Sequence, residues 1–119
     1  LCERADFAFS KGISPEKIIF DLGICFGKDL NANLELISNC DFFKTCWKNP
    51  LQKEIPVLMA LSRKSFLGEI TANSVENRLA ESLTANIFSI MNGCSIVRVH
   101  DVKETVDSIK ILNKLLKRG

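Results

Sequence analysis

Apolar residues fall in three short, near-continuous runs along this chain: Ile18-Ile19-Phe20, Val57-Leu58-Met59-Ala60-Leu61 and Ile96-Val97-Arg98-Val99. Longer stretches of helical spacing lie between them. The runs are short and rich in β-branched residues, so each predicts a buried strand. Leu30, Leu34 and Ile37 recur at helical spacing and predict a helix over 31–39. Val75, Leu79, Leu83, Ile87 and Ile90 form one stripe of a second helix, capped by Ser74 and stopped at Asn92-Gly93. Val102, Val106, Ile109, Leu112 and Leu116 predict a last helix facing inward, opened by the capping-box-like pair Asp101 and Glu104. At the front, residues 2–11 read as the end of a helix closed by Gly12, and Ser14-Pro15-Glu16 as one capped turn. Cys40 to Glu54 has no clear period, with a turn at Asn49-Pro50, and 62–73 reads as a polar loop or a ragged helix start. A helix followed by three strand–helix units predicts an α/β fold over residues 1–119, with parallel strands covered by helices.

Composition narrows the classes. The chain is 46% hydrophobic and 25% charged, as in globular proteins, and its net charge of +2 is too small to favour nucleic acid or a membrane surface. No apolar run reaches the roughly 18 residues of a bilayer span, and Leu1-Cys2-Glu3-Arg4 shows no signal-peptide pattern. Position 1 is not Met, which leads us to expect a longer gene product. The five cysteines include no CxxC pair, so reduced thiols in the cytoplasm are the simplest reading and no metal site is expected within the chain.

Polar residues stand where the strands end: Asp21, then Ser62-Arg63-Lys64-Ser65, then Arg98-Val99-His100-Asp101. Parallel α/β folds bind ligands at the carboxyl ends of their strands, where the loops converge. Alternation puts Arg98 and His100 on one face, Ile19 with Asp21, and Ser62 and Lys64 with Leu58 and Ala60 if the strand runs that far. One pocket could then receive a carboxylate, an ammonium, a guanidinium and an imidazole. Each has a plainer reading taken singly. Asp21 could cap a turn, Arg98 could pair with Asp101, and His100 could be a half-buried hydrogen-bonded histidine. Gly23 to Lys28 is not a Walker loop, because the spacing is one residue short and Asp29 follows the lysine. A Ser62–His100–Asp101 triad lacks a nucleophile elbow.

Three segments carry a family resemblance. Asp21-Leu22-Gly23-Ile24-Cys25-Phe26-Gly27-Lys28 resembles the D-P-G-x-G-F-G-K loop of dihydropteroate synthases. Ser62-Arg63-Lys64-Ser65-Phe66-Leu67-Gly68 resembles their S-R-K-S-F-[IL]-G segment, and Arg98-Val99-His100-Asp101-Val102 their R-V-H-D-V ending. Arg78-Leu79-Ala80 and Ser82-Leu83 are also similar to the family. The resemblance implies a (β/α)₈ barrel, with these strands as its sixth, seventh and eighth. It implies a transferase that condenses 6-hydroxymethyl-7,8-dihydropterin pyrophosphate with p-aminobenzoate in folate biosynthesis. It further implies magnesium, whose Asn ligand would lie outside this chain, and a homodimer. By the same resemblance Asp21 binds the pterin, Lys64 binds pterin and borders aminobenzoate, Ser65 bonds the aminobenzoate carboxylate, Arg98 and His100 hold pyrophosphate, and Phe26 packs nearby.

Leu22 stands where the family has Pro, Cys25 where it has Gly, and Ala60 where Gly is frequent. A positive φ at Cys25 would cost about 1 kcal/mol or more. Three strands cannot close a barrel, so an uncovered inner face and two open edges are expected, with the remainder of the barrel on the same or another chain. Two readings stay open: the pterin and pyrophosphate half of a synthase, or a non-catalytic remnant or pterin-binding module.

Overall fold

The computed structural model describes residues 1–118; position 119, the last of the expected domain, lies outside the described residues. Three strands, β1 (Phe20–Asp21), β2 (Val57–Met59) and β3 (Ile96–Val97), form one parallel sheet in the order β1-β2-β3. Phe20 pairs with Val57 and Asp21 with Leu58, while Leu58 pairs with Ile96 and Met59 with Val97. The helices are α1 (Cys2–Ser10), α2 (Leu30–Ser38), α3 (Phe42–Thr45), α4 (Ser65–Thr71), α5 (Leu79–Met91) and α6 (Val102–Arg118). The fold is thus α/β with three parallel strand–helix units, as the apolar runs predict.

The helices cover one face of the sheet. Leu22, Val57, Met59 and Leu61 are buried among Ile24, Ile37, Phe66 and Leu67, and Phe20 is buried in a second, smaller cluster with Ala5, Trp47 and Ile55. The other face is left open: Ile19 is 52% exposed although the next residue, Phe20, is buried. The extents of 44 × 38 × 21 Å describe a slab. A radius of gyration of 15.5 Å exceeds the roughly 13.5 Å that a closed domain of this length would have. Both match a wedge of a barrel wall. Among the described residues, no helix is long and apolar enough to cross a membrane.

Four details depart from the pattern reading. Residues 62–73 contain a real helix, α4, because Phe66 and Leu67 are buried in the core. Ser74 opens only a 3₁₀ turn at Val75–Asn77, and α5 begins at Leu79. The face that α5 buries carries Ser82, Asn86 and Ser89, while Leu79, Phe88 and Met91 stay exposed. Short side chains let this helix approach closely: Ser89 Oγ donates to the Ala85 carbonyl at 2.8 Å and Ser82 Oγ accepts the Arg63 N–H at 2.9 Å, whereas the buried Asn86 amide has no partner among the described residues. On α6, Leu112 and Thr105 are buried, whereas Val102, Val106 and Leu116 are exposed. Its apolar stripe therefore faces partly away from this unit.

Candidate active site

The loop after β1 is folded by its own polar groups. Asp21 ends the strand and its Oδ1 accepts the Gly23 N–H at 2.9 Å, which turns the chain. Gly23, Cys25 and Gly27 then take positive φ values of 67°, 72° and 70°. Lys28 Nζ donates back to the carbonyls of Gly23 (2.8 Å) and Phe26 (3.2 Å). Asp29 caps α2 through the Ala32 N–H at 2.8 Å. Asn33, buried on α2, accepts the Cys25 N–H at 2.9 Å. Cys25 thus holds a backbone conformation that only Gly adopts freely, and Asn33 clamps it there.

The loop after β2 crosses to meet the first. Arg63 takes φ 59° and directs its guanidinium to Asp101, 2.9 Å away. Its backbone is pinned on both sides: its N–H donates to Ser82 Oγ at 2.9 Å, and its carbonyl accepts from Arg78 Nη1 at 2.9 Å. The next residue, Lys64, points the other way. Its Nζ donates to the Ile24 carbonyl at 2.9 Å and lies 5.2 Å from the centroid of the Phe26 ring. Ser65 Oγ is 3.9 Å from Cys25 Sγ. Burial pushes the Lys64 ammonium below the ordinary lysine value. The neighbouring Cys25 and Asp21 pull it back up, and Arg98 and Lys28 push it further down.

The end of β3 supplies the rest. Ser62, itself buried, lies 2.9 Å from His100 Nδ1 and also accepts the His100 N–H at 3.2 Å. That fixes the imidazole with its other nitrogen free to turn outward. Arg98 is anchored only by its backbone, whose N–H donates to the Met59 carbonyl at 3.0 Å. Ala60, Ser62, Lys64, Arg98, Val99 and His100 line a recess of about 180 Å³. Ligand pockets usually run from about 300 Å³ upward, so this is a partial site.

Lys64, Arg98 and His100 therefore meet in one recess. Asp21 stands at the adjoining strand end, close enough for its charge to be felt at Lys64. Phe26, 73% exposed, roofs Lys64, and Ser65 stands beside Cys25 at the rim. The ion pair to Asp101 is made by Arg63, which leaves Arg98 facing the open side. Asn33, Arg78, Ser82 and Ser62 are the supports of these loops, a role that nothing in their spacing marks. Among the described residues, no three His, Cys, Asp or Glu side chains gather as metal ligands. Asp21 is turned to Gly23 among cationic groups, so the residues present do not fit a magnesium ion.

An open wall of this kind, with polar side chains at the carboxyl ends of parallel strands, is the architecture of a segment of an α/β barrel. The family model described as pterin binding enzyme matches residues 1–100, and the chain belongs to that family. Its relatives are dihydropteroate synthases. That of Escherichia coli K12 is 35% identical over 115 residues, covering 97% of this chain and 36% of the relative. The bifunctional dihydropteroate synthase/dihydropteroate reductase of Helicobacter pylori is 37% identical over 100 residues, 84% of this chain and 24% of the relative. The crystal structure of Burkholderia cenocepacia dihydropteroate synthase complexed with 7,8-dihydropteroate superposes with a TM-score of 0.93 at 32% identity, covering 99% of this chain and 42% of that one. The chain thus spans well under half the length of these relatives.

Proposed function

We propose that this chain forms the pterin and pyrophosphate wall of a dihydropteroate synthase. The observation that carries the reading is the convergence of Asp21, Lys64, Arg98 and His100 on the uncovered side of three adjacent strands. A pterin presents a 2-amino group beside a ring N–H, and a carboxylate at Asp21 can accept both in one plane. Lys64 can donate to the carbonyl and ring nitrogen on the other side. Arg98 and His100 can hold the diphosphate and stabilise its departure. Ser65, at the rim, suits the carboxylate of p-aminobenzoate. The carbon–oxygen bond to pyrophosphate breaks, the arylamine nitrogen attacks the resulting methylene cation, and the amine proton is released. Catalysis rests on positioning and on charge at the leaving group.

The open sheet face and the edges at β1 and β3 call for the remaining barrel strands, on this or another polypeptide. Magnesium, if the reaction uses it, would be held by the diphosphate and by residues outside this chain. Exposed Phe88 and Met91 on α5 and Ile111 and Leu115 on α6 suit burial against a second copy. The five free cysteines suit a reducing, cytoplasmic setting.

Calorimetric titration with the dihydropterin pyrophosphate tests the assignment. Asp21→Asn should lose roughly 1.5–3 kcal/mol of binding; unchanged affinity would defeat it. The second reading, a binding segment without turnover, draws on Cys25, whose side chain sits at φ 72° against Ser65 in the proposed aminobenzoate rim. Dihydropteroate formed by this chain alone would overturn that reading.

A further inference from the structure

Away from the site, helix α1 is fastened to the segment after α3 by a second, smaller core. Cys2, Ala5 and Asp6 share one face of α1 through their i, i+3 and i+4 spacing. Ala5 is buried with Phe20, Trp47 and Ile55. Asp6 Oδ1 accepts the indole N–H of Trp47 at 2.7 Å. Beside that bond, Cys2 Sγ lies 3.7 Å from Cys46 Sγ, although the two residues are 44 positions apart. Both thiols are free and half-buried. Between them the chain runs through β1, the whole 21–28 loop and α2.

We propose that Cys2 and Cys46 are a redox site that closes to a reversible disulfide under peroxide or a small-molecule disulfide. A disulfide is about 2.05 Å long, so the sulfurs must approach by about 1.7 Å, within the reach of side-chain rotation on a docked helix. With peroxide, one thiolate attacks a peroxide oxygen to give a sulfenic acid and water. The second thiol then attacks that sulfur, forming the S–S bond and releasing the second water. Two thiols and one peroxide become one disulfide and two waters. With a small disulfide, two exchanges release two small thiols. The other cysteines are placed differently. Cys40 and Cys94 are buried, and their sulfurs lie 3.1 Å from the carbonyls of Asn92 and Ile96. Burial raises the thiols of Cys40, Cys94 and Cys46 alike above the ordinary value, so it is the sulfur–sulfur approach that sets Cys2 and Cys46 apart. Cys25 belongs to the loop after β1. The bridge would tie α1 to Trp47 and Phe20, the floor beneath Asp21, and shrink the unfolded ensemble of the segment it encloses. This inference is independent of the proposed function.

The test oxidises the protein expressed from its own gene with hydrogen peroxide, alkylates the remaining thiols and maps the peptides without reductant. The expected result is a Cys2–Cys46 peptide pair, lighter by two hydrogens than its reduced parts and separated by dithiothreitol. The oxidised protein should also melt several degrees higher than the reduced one. Cys2→Ser and Cys46→Ser should each abolish the pair and the shift, and Cys25→Ser should keep both. Cys2 and Cys46 recovered singly alkylated, over-oxidised or bridging two chains would overturn the proposal. A bridge without a rise in the melting midpoint would overturn its role as a fastener.

Discussion

On the helix-covered face of the sheet, Val57 and Met59 are wholly buried, whereas on the other face Ile19 stays half exposed and Asp21, Arg98 and His100 reach outward. The covered face is completed by this chain's own helices. The open face keeps Ile19, the Asp21 carboxylate, the Arg98 guanidinium and the His100 imidazole exposed. One face is therefore held by packing that is local to the chain, and the other is left exposed, where the proposed ligand and the remaining barrel would lie. The difference teaches where stability and chemistry separate: residues one position apart along a strand serve one or the other, because the side-chain period is two.

Substitutions can break that contrast. The largest effect is expected at Met59→Ala, which should cost about 2–5 kcal/mol in urea unfolding by leaving a core cavity. The same truncation at half-exposed Ile19 should cost under about 1 kcal/mol in this chain. Equal losses would mean that the open face is covered after all. Next comes Asn33→Ala, which leaves the Cys25 N–H without its partner. A loss of about 1–3 kcal/mol is expected, together with weaker pterin binding by calorimetry. Cys25→Gly should raise stability by about 1 kcal/mol at most, because Gly adopts φ 72° without strain.

The smallest effect is a pH dependence. Burial lowers the Lys64 ammonium from its ordinary 10.5, so the folded chain gives up this proton before the unfolded chain does. Between the lowered value and 10.5 the unfolded state binds more protons, and this group's contribution makes stability rise with pH there. Pterin binding should move the other way, fading as Lys64 loses its charge. Lys64→Arg should flatten the alkaline limb in thermal melts and in titrations.

The strands and most helices were legible because unbroken apolar runs and helical spacing are local signals. The candidate site was legible for a different reason: polar residues such as Arg98 and His100 have no structural need to end a buried strand. What spacing could not show was the supporting layer. Asn33 acts across eight residues on Cys25, Ser82 across nineteen on Arg63, and Ser62 across thirty-eight on His100. The first exists only once the loop has folded onto α2, and the other two only once the strand ends have come together. The buried faces of α5 and α6 differ from their apolar stripes, because such a stripe tells that a helix is covered, not by which neighbour. Ser82, Asn86 and Ser89 turn a polar face inward there, and Phe88 and Met91 remain for another surface.

In the proposed half-site one ligand spans two kinds of group, the Asp21 carboxylate for the heterocycle and Arg98 with His100 for the diphosphate. The direct measurement is a pair of calorimetric titrations, with 6-hydroxymethyl-7,8-dihydropterin and with its pyrophosphate, on the unaltered protein and on Asp21→Asn and Arg98→Ala. Asp21→Asn should weaken both ligands alike, and Arg98→Ala should weaken only the pyrophosphate form. Equal weakening of both ligands by Arg98→Ala, or no change with either variant, would contradict the account.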